Sequence, residues 1–392
     1  MSPLESLKVL DFSTLLPGPY ASMMMADLGA EVLRVESPTR VDLCRNLPPF
    51  ADGVSTAQAY LNRSKSSIAL DLKQQQAIEV IKKIIVEYDI ILEQFRPGVM
   101  DRLGLGYQDL KELNPRLIYC SITGFGQTGP YKDRPGHDIN YLAIAGVSSY
   151  TGRKKEGPLP LGVQLADVAG GSMHSVVGIL SAVIQRQVTG EGQHIDISMT
   201  DAAFALNGMV GSAVAAAGHE PKYESELLNG GSFYDYYQTS DGRYMSVGGL
   251  EPQFMKKLCE VLGCPELVPY GLSPKPEDQQ LLKSRLKKDI GEKDFAHWSE
   301  VFAEVEACVE PVLSMKEALE HPQILGREML IEVPVQGGET QTQIAQPIKL
   351  SGSTVQYKHI GREVGADGRS VLASIGYSDE QIKVLCEQGV TL

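Results

Sequence analysis

His137, Asp138 and Asp167 are the side chains whose types and spacing suit proton chemistry. They lie between Gly124 and Gly171. That stretch opens on a glycine-rich turn (Gly124 to Pro130), passes through Arg134-Pro-Gly-His-Asp-Ile-Asn-Tyr141 and closes on Leu165-Ala-Asp-Val-Ala-Gly-Gly171. His137-Asp138 follows Pro135-Gly136 and precedes a helical pattern from Ile139 to Ala145, which sets both side chains near a helix N-terminus. The helix dipole there lowers an imidazole pKa and favours negative charge. A neutral imidazole can then act as a base near pH 7, and nearby peptide N–H groups suit a developing oxyanion. The same position also fits a plain N-cap, with Asp138 capping and His137 a loop residue. Asp167 sits among small and apolar residues, where desolvation raises a carboxyl pKa and suits it to act as acid, base or nucleophile. It equally fits an N-cap for a helix starting near Val168. Glu251 precedes Pro252, a residue favoured at the first helical position, so taken alone it is structural.

Gly124, Gly126 and Gly129 match the dinucleotide fingerprint G-x-G-x-x-G and follow a strand. That fingerprint needs a helix opening at once on the pyrophosphate. Pro130 and Pro135 bracket the next residues and forbid one. A tight loop that brings backbone close to a substrate fits better. Basic residues collect early in the chain: Arg40, then Asn62-Arg63-Ser64-Lys65, then Arg96 and Arg102. Several fall in loops or at strand ends, where open α/β sheets bind ligands, and Arg suits bidentate phosphate contacts. Scattered surface charge explains them as well from position alone.

The elements that must carry these residues alternate. Leu7 to Phe12 reads as a strand, Tyr20 to Leu28 as a helix ended by Gly29, and Glu31 to Glu36 as a strand. Ser67 to Leu72, Gln75 to Tyr88 and Ile90 to Leu92 repeat the pattern, and Arg116 to Ile122 is a strand leading into the glycine turn. This predicts an α/β fold with a largely parallel sheet. Ala169 to Gln187 reads as a long helix and Gln193 to Met199 as another strand. From Asn229 the texture changes to a hairpin, Phe233 to Gln238 with Tyr244 to Val247, followed by charged helices. The expected organisation is a large Rossmann-like α/β domain over 1–200, a linker helix and loop over 201–228, a smaller α+β domain over 229–325, and a return segment over 326–392 that completes the large domain. Met329 to Val335 and Gln343 to Leu350 read as strands, and Ser378 to Gln381 as a capping box.

The chain has 392 residues and a formal net charge of −13, which argues against nucleic-acid or anionic-membrane surfaces. Its six cysteines lack C-x-x-C or zinc spacing, so no metal is expected. The segment from Met1 to Ser6 lacks signal-peptide character, and the apolar stretch Ala202 to Ala217 is too short to span a bilayer. A cytoplasmic protein is the expectation.

Taken together, these segments resemble the family III CoA-transferases, and within them the α-methylacyl-CoA racemases. The matching pieces are Val9 to Phe12 with Leu16 to Pro19, Ala26 to Val32, Phe95 to Gly98, Gly124 to Pro130 and the Asp167 segment. Pro347 to Ser351 and Gly376 to Ser378 are similar as well. The racemase branch is suggested by Gly136-His-Asp-Ile-Asn-Tyr141, by Glu251 to Phe254 and by the Asn229 to Gly231 loop. One departure is Val163, where the racemase pattern often places an Asn four residues before the acid.

By this resemblance, His137 removes the α-proton of an acyl-CoA thioester from one face and Asp167 delivers one to the other. Glu251 orients His137, and peptide N–H groups near Asp138 hold the enolate oxygen. Arg40, Asn62, Arg63, Lys65, Arg96, Arg102, Gly136 and Tyr141 become candidates for binding CoA. The resemblance implies an acyl-CoA substrate, no cofactor beyond its CoA moiety, and an interlocked homodimer in which Glu251 acts across the interface. Two other functions stay open: CoA transfer through a covalent Asp167 intermediate, and CoA-ester binding without turnover. The acyl group has no readable code, although Tyr150 to Leu161 and Ala202 to Ala217 are placed to shape its pocket.

Overall fold

The computed structural model describes residues 2–335 and 337–392; Met1 and Gln336, at which the N-terminal and return-segment expectations partly fall, lie outside the described residues. Two compact units emerge. The first comprises Met1–Ala145, Leu161–Leu206 and Gly326–Leu392, and the second Gly146–Pro160 and Asn207–Leu325.

The first unit is built on six strands: β1 (Lys8–Asp11), β2 (Glu31–Glu36), β3 (Ser66–Ala69), β4 (Ile90–Glu93), β5 (Ile118–Thr123) and β6 (His194–Ser198). Every pairing is parallel, and the order across the sheet is β6-β5-β4-β1-β2-β3. Chain order reverses between β1 and β4. In doubly wound sheets that reversal opens a crevice at the carboxyl ends of the strands. Runs such as Ile90-Ile91-Leu92 are fully buried because helices cover both faces of a parallel sheet.

Helix α1 (Pro17–Asp27) follows β1, its fixed-φ prolines at the start where missing N–H groups cost nothing. Gly29, with φ +105°, lets the chain turn directly into β2. Helix α2 (Gln75–Ile84) buries Ala77, Ile78, Val80, Ile81 and Ile84 on one stripe, while Lys82 and Lys83 in its last turn complement the dipole. Each of the larger apolar side chains is worth roughly 1.5–3 kcal/mol of burial. The C-terminal residues Leu372, Ile382, Leu385 and Val390 join this same core. Thr391 Oγ1 donates to Ala69 O at 2.7 Å, which ties the chain end to β3.

The strands expected after Met329 form a separate antiparallel pair, Leu330–Pro334 with Thr340–Ile344, and do not enter the main sheet. The stretch Ala202 to Ala217 is not one helix but two, Met199–Leu206 and Gly208–Ala217, parted at Asn207. The apolar helix of greatest reach lies elsewhere, over Ala166–Thr189. Its length and mean hydropathy of 1.4 would suffice to cross a membrane, and 44% of that window is buried. It packs on β5 and β6.

The second unit has a three-stranded antiparallel sheet: β7 (Asp235–Gln238), β8 (Tyr244–Val247) and β9 (Val309–Pro311). Its core gathers Phe233, Met245, Leu258, Leu282, Leu286, Trp298 and Phe302. Gly146–Pro160, expected in the large domain, belongs here. Arg153 donates to both Asp235 oxygens, at 3.0 and 2.7 Å, and Lys283 Nζ donates to Asp235 at 2.9 Å.

Candidate active site

β5 delivers the chain into the glycine turn. Gly124 and Gly136 lack side chains because both face one ring: a Cβ at Gly124 would lie 2.5 Å from Tyr141 Cε1, and one at Gly136 would lie 2.7 Å from it. The Tyr141 hydroxyl donates to Gly136 O at 2.5 Å. Phe125 packs edge-on against both Tyr131 and Tyr141. Gly126 and Gly129 hold φ near +80°, so the turn is a tight loop with no helix opening from it. The Gln127 N–H is held by the Asp196 carboxyl of β6, at 3.1 and 2.9 Å. A cavity of about 300 Å³ lies beside this loop, lined by Phe125, Tyr131, Ile144, Asp196 and Asp201 among others.

Helix α3 (Asp138–Ile144) begins directly after His137. The Asn140 side chain accepts the His137 N–H at 3.0 Å, and His137 O accepts the Asn140 N–H at 2.8 Å. His137 is exposed at this start. Asp138 does not cap its own helix, as local spacing suggests. Its Oδ1 reaches across to accept the N–H of Ala166 at 2.6 Å and of Asp167 at 3.1 Å. These are the unpaired amides at the start of the next helix, where a carboxylate is worth most.

That helix starts as a π-helical stretch, Ala166–Met173, and continues as α4 (His174–Thr189). Its wide turn is wedged against α1 and the Met199–Leu206 helix. A Cβ at Gly171 would meet Met199 and Pro17 at 3.1 Å, and one at Gly170 would meet Met199 O at 3.3 Å. The Ser172 hydroxyl donates to Pro17 O at 2.6 Å, and it also reaches Asp167 O at 3.1 Å. Such π segments recur at functional sites. Asp167 therefore lies inside the first turn, rather than at the N-cap.

Burial, and then the Asp138 carboxyl, push the Asp167 carboxyl up to about 6, while His137 pulls it the other way. Burial, with the same two acids, pushes the Tyr141 hydroxyl up to about 12. His137, Asp138, Tyr141 and Asp167 thus form one electrostatic cluster. An imidazole beside a carboxyl raised to about 6, on adjoining helix starts, is a pairing suited to general acid–base chemistry. Val163, in the place of the expected Asn, is exposed; the anchoring of this acid comes instead from Asp138 through the backbone.

Glu251 belongs to the second unit, exposed at the N-cap of the Pro252–Val261 helix. Arg40 follows β2, while Arg96 and Arg102 follow β4. All three are exposed, Arg96 and Arg102 beyond the carboxyl end of β4, at the reversal, and Arg40 beyond that of β2, one strand away from it. Asn62, Arg63 and Lys65 are a correction, since all three side chains turn into the interior. Arg63 makes a two-pronged pair with Asp27, at 2.9 and 2.6 Å, and donates to Ile344 O at 2.7 Å. Lys65 Nζ donates to Pro19 O at 2.9 Å and to Asn62 Oδ1 at 3.0 Å, with Asp11 at 3.6 Å. These groups fasten α1 to the sheet and have no face left for a phosphate. Sequence reasoning missed Glu93, a buried acid closing β4. Its one legible signal was a charge ending an otherwise apolar strand.

A family model described as CoA-transferase family III matches residues 4–367. Human alpha-methylacyl-CoA racemase is 36% identical over 385 residues, spanning 97% of this chain and 95% of that protein. Acetyl-CoA:oxalate CoA-transferase of Acetobacter aceti is 34% identical over 362 residues, 89% of this chain and 90% of that protein. The crystal structure of a CaiB/BaiF family protein from Brucella suis matches with a TM-score of 0.83 at 29% identity, covering 95% of this chain and 99% of that chain.

Proposed function

The chain belongs to CoA-transferase family III, and from that premise we propose that it racemises 2-methyl-branched acyl-CoA thioesters by proton transfer at C2. The observation that carries the proposal is the joining of His137 and Asp167 through Asp138, which sets an imidazole and an acid of raised pKa on adjoining helix starts. The α-hydrogen of a thioester is weakly acidic, so its removal needs a positioned base and a stabilised enolate oxygen. His137 removes the proton from one face, the C–H electron pair moves into the enolate, and Asp167 returns a proton to the opposite face. The roles reverse for the other enantiomer. Peptide N–H groups at the start of α3 hold the enolate oxygen.

Arg40, Arg96 and Arg102 bind the phosphates of CoA at the crossover end of the sheet. Glu251 orients His137 from a partner subunit of an interlocked homodimer. A dimer is supported by α4, where Val177, Ile184 and Val188 are 63%, 65% and 86% exposed along one face, an apolar row that calls for a cover.

A second reading is favoured by the similar identity to the oxalate CoA-transferase. In it, Asp167 attacks the thioester carbonyl and carries the acyl group as an anhydride and then CoA as an enzyme-bound thioester, with His137 a bystander. Chiral analysis after incubating one enantiomer of a 2-methylacyl-CoA, with and without an added carboxylate, separates the two. Loss of chirality independent of the carboxylate supports racemisation. Retained chirality, with a new CoA ester only when the carboxylate is present, rejects it in favour of transfer.

A further inference from the structure

Glu93 closes β4 at the crossover of the sheet and is 4% exposed. It is in register with Ser121 on β5, which is in turn in register with Asp196 on β6. Its Oε2 accepts the Phe95 N–H at 2.8 Å, so it shapes the turn that carries Arg96. The next side chain, Gln94, accepts the Gly18 N–H at 3.0 Å and so links this turn to the first turn of α1 across the crossover. Facing Glu93 are the Ser121 hydroxyl and the carboxyls of Asp101 and Asp196. Tyr119 of β5 lies on the same face, while Cys120 points to the opposite one, and His194 stands behind Ser121, with Nε2 3.0 Å from Oγ.

We propose that Glu93 is a positioning residue that couples proton uptake to the binding of a polyanionic CoA ester, holding the Arg96 turn through Phe95 while neutralising itself as the phosphates arrive. The inference rests on the CoA reading above. A buried carboxylate facing two other acids disfavours an arriving polyanion, and the polyanion in turn favours the carboxyl's neutral form. Protonation removes the charge but leaves a carbonyl oxygen to accept the Phe95 N–H, so the turn keeps its shape. Burial pushes the Glu93 carboxyl up to about 7, above the help it receives from Ser121 and Phe95, so the uptake falls in a measurable range.

Calorimetric titration of the full-length protein with CoA, in buffers of different ionisation heat at pH 7, counts protons taken up per ligand. Wild type is expected to take up roughly half a proton more than Glu93→Gln, whose amide keeps the acceptor and lacks the titration. Protonation of CoA itself is common to both proteins and cancels in the difference. Equal uptake by the two proteins overturns this inference and leaves the CoA reading standing; no CoA binding by wild type overturns both. A measurement needing no variant is infrared difference spectroscopy of wild type, in which added CoA should produce the carbonyl stretch of a protonated carboxyl. Its absence at pH 7 also counts against the proposal.

Discussion

Asp138 Oδ1 accepts the backbone N–H of Asp167 at 3.1 Å, so one acid of the site caps the helix on which the other stands. This contact does two things. It supplies the start of a helix with the acceptor its free amides need, and it places negative charge beside a half-buried carboxyl. The first effect fixes where Asp167 lies relative to His137. The second helps keep a proton on Asp167 close to neutral pH.

Asp138→Asn and Asp138→Ala should separate these effects. Asparagine keeps an acceptor but removes the charge, so the Asp167 carboxyl drops towards its ordinary value. The acidic limb of kcat/KM for the enantiomer deprotonated by Asp167 then moves to lower pH. Alanine removes the cap as well, and should cost about 1–2 kcal/mol of stability in urea denaturation. An unchanged limb in Asp138→Asn would show that burial alone sets Asp167.

Asp167 also carries a stability cost whose sign is fixed by linkage. Its folded pKa, about 6, lies above the ordinary 3.8. The native state therefore binds the proton more tightly, and stability falls as pH rises from the unfolded value through about 6. Asp167→Asn should stabilise the protein at pH 8 by roughly 1–2 kcal/mol, allowing for solvent screening of a half-buried side chain, while abolishing activity. Below pH 4 the gain should vanish. Thermal unfolding at the two pH values checks it.

Arg63 and Arg96 should respond in opposite ways. Arg63→Met leaves Asp27 buried without its partner and should destabilise by ~3–5 kcal/mol in denaturant titration. Arg96→Ala is a surface change and should leave stability within ~0.5 kcal/mol, while raising KM for the CoA ester several-fold. A large KM effect with normal stability in the Arg63 variant would return that residue to the ligand.

Much of the scaffold was legible. Apolar runs such as Ile90-Ile91-Leu92 and the stripe of α2 have one physical solution each, a buried strand and an amphipathic helix. The spatial order of the strands was not legible, because no local spacing encodes which strands pair. His137 and Asp167 stood out because a histidine and an acid flanked by glycines are visible locally. The cap from Asp138 to Asp167 was not, since it joins residues 29 positions apart and the nearer helix offered a plausible cap. Arg63 misled for the same reason: its partner, Asp27, lies 36 positions upstream, and only the fold turns the guanidinium inward.

In the proposed reaction His137 and Asp167 exchange the α-proton of a thioester from opposite faces. Proton NMR of a single-enantiomer 2-methylacyl-CoA in deuterium oxide follows this exchange when run on wild type, His137→Ala and Asp167→Asn. Wild type should lose the α-proton signal together with chirality, with no carboxylate needed, and neither variant should racemise. Full retention of the α-proton by wild type, or racemisation surviving His137→Ala, would rule out a two-base exchange through these residues.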